Sequence, residues 1–239
     1  MKLTSNPCAS PKIRSYLVDA LCFHAASSEG NYPVPPQPSG GEYSVHPPLQ
    51  ERHHGAGLER LSEILACRSS ERIRRRVITP QLVEDTLRAG QGLPATGRRA
   101  YPSPGGTYSV SLAWIGFRGN PAVGIATLQP DGTVGWDQQA MTLESGENLL
   151  RVSAFPAATA QGAFLLTGDL ESVGQRYGER GYRYMLLEAG HIAQNLVLAL
   201  SLQGIASCPI GAFDDQVANE LLGHDKDSLN LPVYTIALP

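Results

Sequence analysis

Apolar positions in the second half of the chain change period several times, and each change marks an element. From about Tyr182 to Gln203 the spacing is helical. Leu186, Leu187, Ile192, Leu196, Val197, Leu198, Leu200 and Leu202 cover nearly the whole circumference in its second half. A helix apolar all round is expected to be buried. Glu188, His191, Gln194 and Asn195 interrupt it too often for a membrane span. Gly204 stands where a helix stop is expected. The sequence CPIGAF follows, read as a short loop in which Pro209, Ile210 and Gly211 let backbone approach a flat ligand. The same pattern also suits a core helix followed by an ordinary turn.

The remaining elements follow from the same reading. Residues 13–26 have a helical pattern, with Tyr16, Leu17, Ala20, Leu21 and His24 on neighbouring turns. Residues 27–56 hold Pro33, Pro35, Pro36, Pro38, Pro47 and Pro48, which exclude a helix or a central strand, so they read as an extended arm. Residues 57–66 form a helix with Leu58, Leu61, Ile64 and Leu65 on one side. Thr79 caps another, with Pro80 at its first position. Leu82, Val83, Leu87 and Ala89 face inward there, and Gly90 or Gly92 ends it. Alternation over 107–117 predicts a strand, and Pro130-Asp131-Gly132 predicts a hairpin between 122–128 and 132–136. Residues 143–151 suit a helix, 163–168 a buried strand, and 232–239 a final strand. Asp214 or Asp215 caps a helix through Leu222, with Gly223 just beyond. The order implies an α+β fold: an antiparallel sheet packed by helices, with one long helix central. It divides the chain into a helix and Pro/Gly-rich arm (1–56) and a main domain (57–239).

Composition narrows the function classes. The chain has 239 residues, enough for one domain with a substantial core. A net charge of -3 provides no global field for nucleic acid or anionic membrane. Cys8, Cys22, Cys67 and Cys208 form no C-x-x-C pair, so zinc and dithiol chemistry have no support. Scattered cysteines, with no apolar signal segment after Lys2, lead to the expectation of a reducing cytoplasm. No internal repeat is present.

Four groups of residues carry candidate chemistry. Arg68, Ser69, Ser70 and Arg72 place two permanent charges and two hydroxyls in one short segment, which can grip a phosphate. Because Arg74, Arg75 and Arg76 follow, the same run also suits a solvated charge cluster. Pro102, Ser103, Pro104, Gly105 and Gly106 force a tight loop. Arg176-Tyr177 precedes a glycine turn and equally suits a surface loop. Glu188, His191, Gln194 and Asn195 form a polar stripe. Glu188 and His191 at i, i+3 can chelate a metal but have no second pair, so hydrogen bonding is the better account. His53-His54 alone makes no metal site, and Cys208 suits packing better than nucleophilic work.

The run YGERGYRYMLLEAGHIAQNLVLALSLQGIASCPIGAFDD resembles the nitroreductase superfamily, and within it the SagB/McbC-type dehydrogenases, many of which oxidise azoline rings in ribosomally made peptides. The resemblance covers roughly residues 58–239, with a fainter echo at Phe23-His24. It implies FMN as cofactor and a homodimer with FMN at the interface. Arg68, Ser70 and Arg72 fall on the family's Arg-x-Ser-x-Arg/Lys motif, which holds the FMN phosphate and ribityl chain. Pro102, Ser103 and Gly105 fall on its Pro-Ser-Ala-Gly-Gly-x-Tyr loop, with Pro104 in place of Ala; in the family that loop reaches the flavin, often across the dimer interface. Pro209, Ile210 and Gly211 fall on the segment that lies along the isoalloxazine. Arg176-Tyr177 takes the place of a Lys-Tyr pair. Arginine stays protonated and cannot serve as an ordinary general base, so Tyr177 is the expected proton-transfer residue, with Arg176 assisting it or orienting substrate. The implied task is oxidation of a thiazoline or oxazoline on a peptide or synthetase-bound substrate, with other proteins of a modification complex as candidate partners. A nucleic-acid partner, membrane or metal is not expected. An NAD(P)H-dependent reductase of small molecules and a non-catalytic flavin-binding subunit are the other readings.

Overall fold

A strand with an unbroken apolar run needs cover on both faces, and Ala163–Leu166 meet that condition at the centre of the sheet, in a strand buried from Gly162 to Gly168. The computed structural model describes residues 54–72, 76–92, 99–117, 119–137, 148–151, 153, 155–225 and 228–239. Within them the helices are α1 (His54–Cys67), α2 (Pro80–Gln91), α3 (Leu170–Tyr177), α4 (Arg180–Leu202) and α5 (Asp215–Leu221). The strands are β1 (Val110–Gly116), β2 (Gly124–Leu128), β3 (Val134–Asp137), β4 (Gly162–Asp169), β5 (Cys208–Ile210) and β6 (Asn230–Leu238). They form one six-stranded sheet in the order β3-β2-β1-β4-β6-β5, antiparallel throughout. The expected helix over 13–26 and residues 27–53 of the arm lie outside the described residues, as do 143–147.

The two faces of the sheet carry two cores. Val110, Leu112 and Trp114 of β1 pack with Phe164 and Leu166 of β4 against α2, α3 and α4. Ala113, Ile115 and Phe117 point the other way and pack with Leu149, Leu150, Phe155 and Phe213. Trp114 is fully buried and donates its indole N–H to the Ala122 carbonyl at 2.8 Å. β6 carries a bulge where the register passes from Tyr234 to Pro232. Proline has no N–H to give to the ladder, which accounts for the irregularity there.

Local chemistry sets the element ends. Thr79 accepts the Leu82 N–H at 3.3 Å with Pro80 at N1, as its residue types require. Asp214 accepts the Val217 N–H at 3.1 Å and starts α5. The end of α4 is a complete Schellman motif. The Ile205 N–H reaches the Leu200 carbonyl at 2.9 Å and the Gly204 N–H reaches Ser201 at 3.1 Å, with Gly204 at φ 67°.

Several expectations need correction. α1 begins at His54, three residues before its predicted start, so the last arm residues are helical. Ala89 is exposed; the buried face of α2 is Val83, Thr86, Leu87 and Gly90, because Thr86 returns its hydroxyl to the Leu82 carbonyl at 2.7 Å. α3 has no counterpart among the expected elements. The 208–210 stretch is not a loop but a short edge strand on β6. Most important, α4 is not buried all round. Ile192, Leu196, Val197 and Leu200 are buried, whereas Leu186, Leu187 and Leu202 are 41%, 56% and 50% exposed. Leu61 and Leu65 of α1 are also exposed. α4 is long and apolar enough to cross a bilayer, but its buried side packs on the sheet and on α2 and α3.

Candidate functional site

The sequence-derived candidates collect into two groups at different places on the sheet. The first lies beside the edge strand. Arg68, Ser69, Ser70 and Arg72 are all exposed. The segment is tied to the sheet by the Glu71 N–H, which donates to the Ser207 carbonyl at 2.9 Å. Ser69 donates its hydroxyl to Glu71 at 3.2 Å. This contact brings the arginine–serine segment alongside Cys208, Pro209 and Ile210, two stretches more than 130 residues apart in sequence. Pro209 is half-buried, Ile210 is buried, and Gly211 is exposed with open space where a side chain would stand. Burial pushes the Cys208 thiol above its ordinary range, and the positive charge of Arg72 opposes this only in part. A buried thiol so disposed is a packing residue.

A buried amide anchors this group from behind. Gln161 accepts the Ile78 N–H at 3.1 Å and the Asn120 side-chain amide at 3.0 Å. It donates to the carbonyls of Arg76 at 2.8 Å and Pro239 at 2.6 Å. Arg76 also donates to the Gln203 carbonyl at the end of α4, at 2.7 Å. The chain leaving the arginine–serine segment is therefore fixed to the sheet and to α4.

The second group surrounds the 102–108 loop. Pro102 is exposed and Ser103 is partly buried. Gly105 has φ 55°, in the left-handed region, and a side chain there would meet the Tyr177 hydroxyl and the Arg176 guanidinium. Arg176 donates to the Gly105 carbonyl at 2.9 Å. Its guanidinium carbon lies 5.6 Å from the centre of the Tyr177 ring, and Tyr177 packs edge-on against Tyr184 at 5.0 Å. Arg176 and Tyr177 are thus not loop residues. They end α3, which Asp169 caps through the Ser172 N–H at 3.0 Å.

From below, the loop is held by Glu188, which is 1% exposed. Its carboxylate accepts the Ser103 hydroxyl at 2.6 Å, the Val110 N–H at 2.9 Å and the Ser109 hydroxyl at 3.5 Å. Ser103 in turn accepts the Tyr108 N–H at 2.8 Å, with Tyr108 itself at φ 48°. Tyr101 is buried edge-on to Tyr108; burial first, then the negative charge of Glu188, raises its phenol above the ordinary range. The predicted polar stripe therefore divides. Glu188 is a buried acceptor, and Asn195 donates to the Ala100 carbonyl at 3.1 Å, while His191 and Gln194 are exposed. Among the described residues no cluster of metal-ligating side chains occurs.

The two groups are far apart within one chain. Val110, held by Glu188, pairs with Gly168 of β4, and Pro209 pairs with Ile236, which faces Phe164 of β4. The offset is four residues along the strands and three strands across. At about 3.4 Å per residue and 4.8 Å per strand that is roughly 20 Å.

Comparisons with known proteins fit this architecture. Over 65 residues the chain is 35% identical to a Methanocaldococcus jannaschii protein provisionally named a nitroreductase, a match covering 27% of this chain and 33% of that protein. A chain of the Escherichia coli microcin synthetase McbBCD complex with truncated pro-MccB17 bound has the same fold, with TM-score 0.61 and 14% identity over 97% of this chain and 94% of that one. A Staphylococcus epidermidis protein provisionally described as an NAD(P)H:FMN oxidoreductase matches with TM-score 0.50 and 16% identity, covering 74% of this chain and 84% of its own. The model of the Nitroreductase family matches residues 68–238, and the chain belongs to that family.

Proposed function

We propose that the protein is an FMN-dependent oxidoreductase that dehydrogenates thiazoline or oxazoline rings to thiazoles or oxazoles in peptide natural-product biosynthesis. The observation that carries this reading is the meeting of Arg176, Tyr177 and Gly105. The pair assigned to proton transfer lies against the loop assigned to the flavin. The fold neighbour within a peptide-modifying synthetase points the same way.

The residues present suit FMN. Arg68 and Arg72 offer forked cationic donors and Ser69 and Ser70 hydroxyls, all exposed beside the edge strand, as a phosphate and ribityl chain require. Pro209, Ile210 and Gly211 continue from that point, and the open side of Gly211 admits a flat ring. FMN, when bound, supplies the acceptor for a hydride and returns the electrons to O2. The protein supplies the rest. Tyr177 would take a proton from one ring carbon through its phenolate oxygen; the electrons of that C–H bond form the new ring double bond, and the hydrogen on the adjacent ring carbon leaves with its electron pair as hydride. Arg176 keeps a fixed positive charge beside that oxygen and holds the loop through Gly105.

One isoalloxazine cannot touch both groups within a chain when they stand roughly 20 Å apart. A homodimer resolves this, with the 102–108 loop of one copy reaching the Arg68–Arg72 and Pro209–Gly211 group of the other. The exposed Leu186, Leu187 and Leu202 of α4 supply apolar surface for that contact. The enzyme then works in the cytoplasm, on a peptide or synthetase-bound azoline and beside modification-complex proteins, without nucleic acid or membrane.

The first test is the visible absorbance of the purified protein, the identity of any released chromophore, and turnover of thiazoline peptides. Bound FMN with thiazole formation that Tyr177→Phe abolishes is expected. A colourless protein that refuses added FMN sinks the cofactor assignment, and full activity of the Tyr177→Phe variant sinks the proton-transfer role. NAD(P)H oxidation on nitroaromatics with inert azolines would favour the second reading, a small-molecule reductase, which the NAD(P)H:FMN-type fold neighbour supports. Sharing of the site is tested by co-expressing Arg72→Ala with Gly105→Val. If each site uses one residue from each copy, mixed dimers regain one intact site, roughly one site in four overall. No recovery from mixed dimers would refute the shared site.

A further inference from the structure

A buried carboxylate normally needs several donors, and the donors it selects reveal what it holds in place. Glu188 is 1% exposed, and its donors come from one short stretch, the 103–108 loop and its junction with β1: the Ser103 hydroxyl, the Ser109 hydroxyl and the Val110 N–H. It sits on α4, the longest helix, and the loop it grips contains Tyr108 at φ 48° and Gly105 at φ 55°. Left-handed backbone at a non-glycine residue persists only when its surroundings impose it. The imposing contact is visible here. Tyr108 donates its N–H to the same Ser103 oxygen that donates to Glu188, so the carboxylate fixes Ser103 and Ser103 fixes the turn.

We infer that Glu188 is a positioning residue for the flavin: it sets the conformation of the 103–108 loop and thereby the affinity for FMN, without touching the cofactor. The inference rests on the FMN reading above, because that reading makes the loop a flavin contact. Arg176 holds the loop's other side through Gly105, but from the exposed rim and through a single backbone carbonyl. The buried anchor is Glu188.

The route through Ser103 makes the inference distinguishable from a general loss of folding. Glu188→Gln keeps the shape and an oxygen for the Val110 N–H. It replaces the acceptor of the Ser103 hydroxyl by an amide that can only donate. The Ser103 hydroxyl then loses its charged acceptor, and the short bond that fixes its orientation is replaced by at most a weaker, neutral one in the reverse direction. The stripped full-length protein is titrated with FMN by flavin fluorescence, as wild type, Glu188→Gln, Ser103→Ala and the double variant, with thermal melts alongside. Wild type should bind. Glu188→Gln should bind about 10-fold or more weakly, the scale of a lost charge-assisted hydrogen bond. The double variant should be no weaker than the weaker single one, because both changes break one linkage. The shift should exceed anything that parallel loss of melting temperature explains.

Unchanged FMN affinity in Glu188→Gln, with wild type binding normally, overturns the positioning role and leaves the FMN reading standing. Additive losses in the double variant also overturn it, since Ser103 would then act independently of Glu188. Failure of wild type to bind FMN removes both. If Glu188→Gln is too unstable to titrate, Glu188→Asp takes its place. It keeps the charge, shortens the reach, and should weaken FMN in the same way; unchanged affinity there overturns the role equally.

Discussion

Replacing Gln161 by Ala should destabilise the protein far more than a single surface-adjacent polar residue ordinarily does. The side-chain amide is 5% exposed and uses both its acceptor and its donor capacity twice. Truncation orphans the Ile78 N–H, the Asn120 amide and the Pro239 carbonyl in buried positions, whereas the carbonyl of exposed Arg76 can find water. Each buried group left unpaired costs about 1–3 kcal/mol, so the loss should be about 3 kcal/mol, a large part of the roughly 5–15 kcal/mol that holds a domain folded. In urea the midpoint should fall by roughly 1–2 M. Fluorescence of the fully buried Trp114 reports the transition. Gln161→Glu tests the polarity of the network. It keeps the acceptor but turns an oxygen toward the carbonyls of Arg76 and Pro239, and it should be at least as damaging at neutral pH. FMN affinity should fall with Gln161→Ala as well, because the chain leaving Arg68–Arg72 loses its anchor. A loss under about 1 kcal/mol would show that water replaces the amide and that the network fixes nothing.

Three further outcomes follow from the geometry. Gly105→Ala should cost about 1–2 kcal/mol, from left-handed backbone and from contact with Tyr177 and Arg176; an unchanged melting curve would refute the clamp. Cys208, 1% exposed and with its thiol raised by burial, should resist iodoacetamide at pH 7 in the native protein and react only as pH rises or the fold opens; rapid native labelling at that site, read by peptide mass, would contradict this. Asp214 is partly buried, which works to raise its pKa, but the Val217 N–H and the Arg151 guanidinium at 2.7 Å outweigh burial and hold it below the ordinary carboxylate range. Its contribution is therefore fully present above about pH 4 and is lost as pH falls through the lower folded value. Asp214→Ala should cost about 1 kcal/mol at neutral pH and flatten the acid limb of a urea-midpoint profile; an unchanged acid limb would refute it.

The elements that were legible carry their signals within a few residues. Thr79-Pro80, Pro130-Asp131-Gly132 and Gly204 each fix an element end by their own backbone preferences, and all three act as their residue types require. α3 carries a signal too, Leu170, Val173 and Tyr177 at i, i+3 and i+7 behind an Asp169 cap, but eight residues with Gly174 inside make a faint pattern. Other features leave no local trace. Gln161 joins Arg76, Ile78, Asn120 and Pro239, and nothing near position 161 announces partners from three distant segments. The apolar residues of α4 predict a helix buried all round, but one chain covers only one side of it. For the site, residue types gave the candidates, but only the fold divides them into two groups.

That division bears on the arginine at position 176. A lysine in its place would carry one compact charge that burial could discharge, and could trade protons with a neighbour. An arginine cannot, yet its planar fork can bond a carbonyl and lie beside a ring at once, and Arg176 does both with Gly105 and Tyr177. It also ends α3, where a cation meets the negative end of the helix. These contacts give the guanidinium a fixed place and a fixed charge, which are the properties of a clamp rather than of a base. Under the proposed chemistry the proton therefore goes to Tyr177. Arg176 and Glu188 then act as two opposed grips on one loop, the first at its exposed side and the second at its buried side. In the proposed dimer, a loop held at both sides would keep its shape as a second copy of the chain docked over the exposed face of α4. A shared site needs that property, since the residues that complete it would arrive already in place.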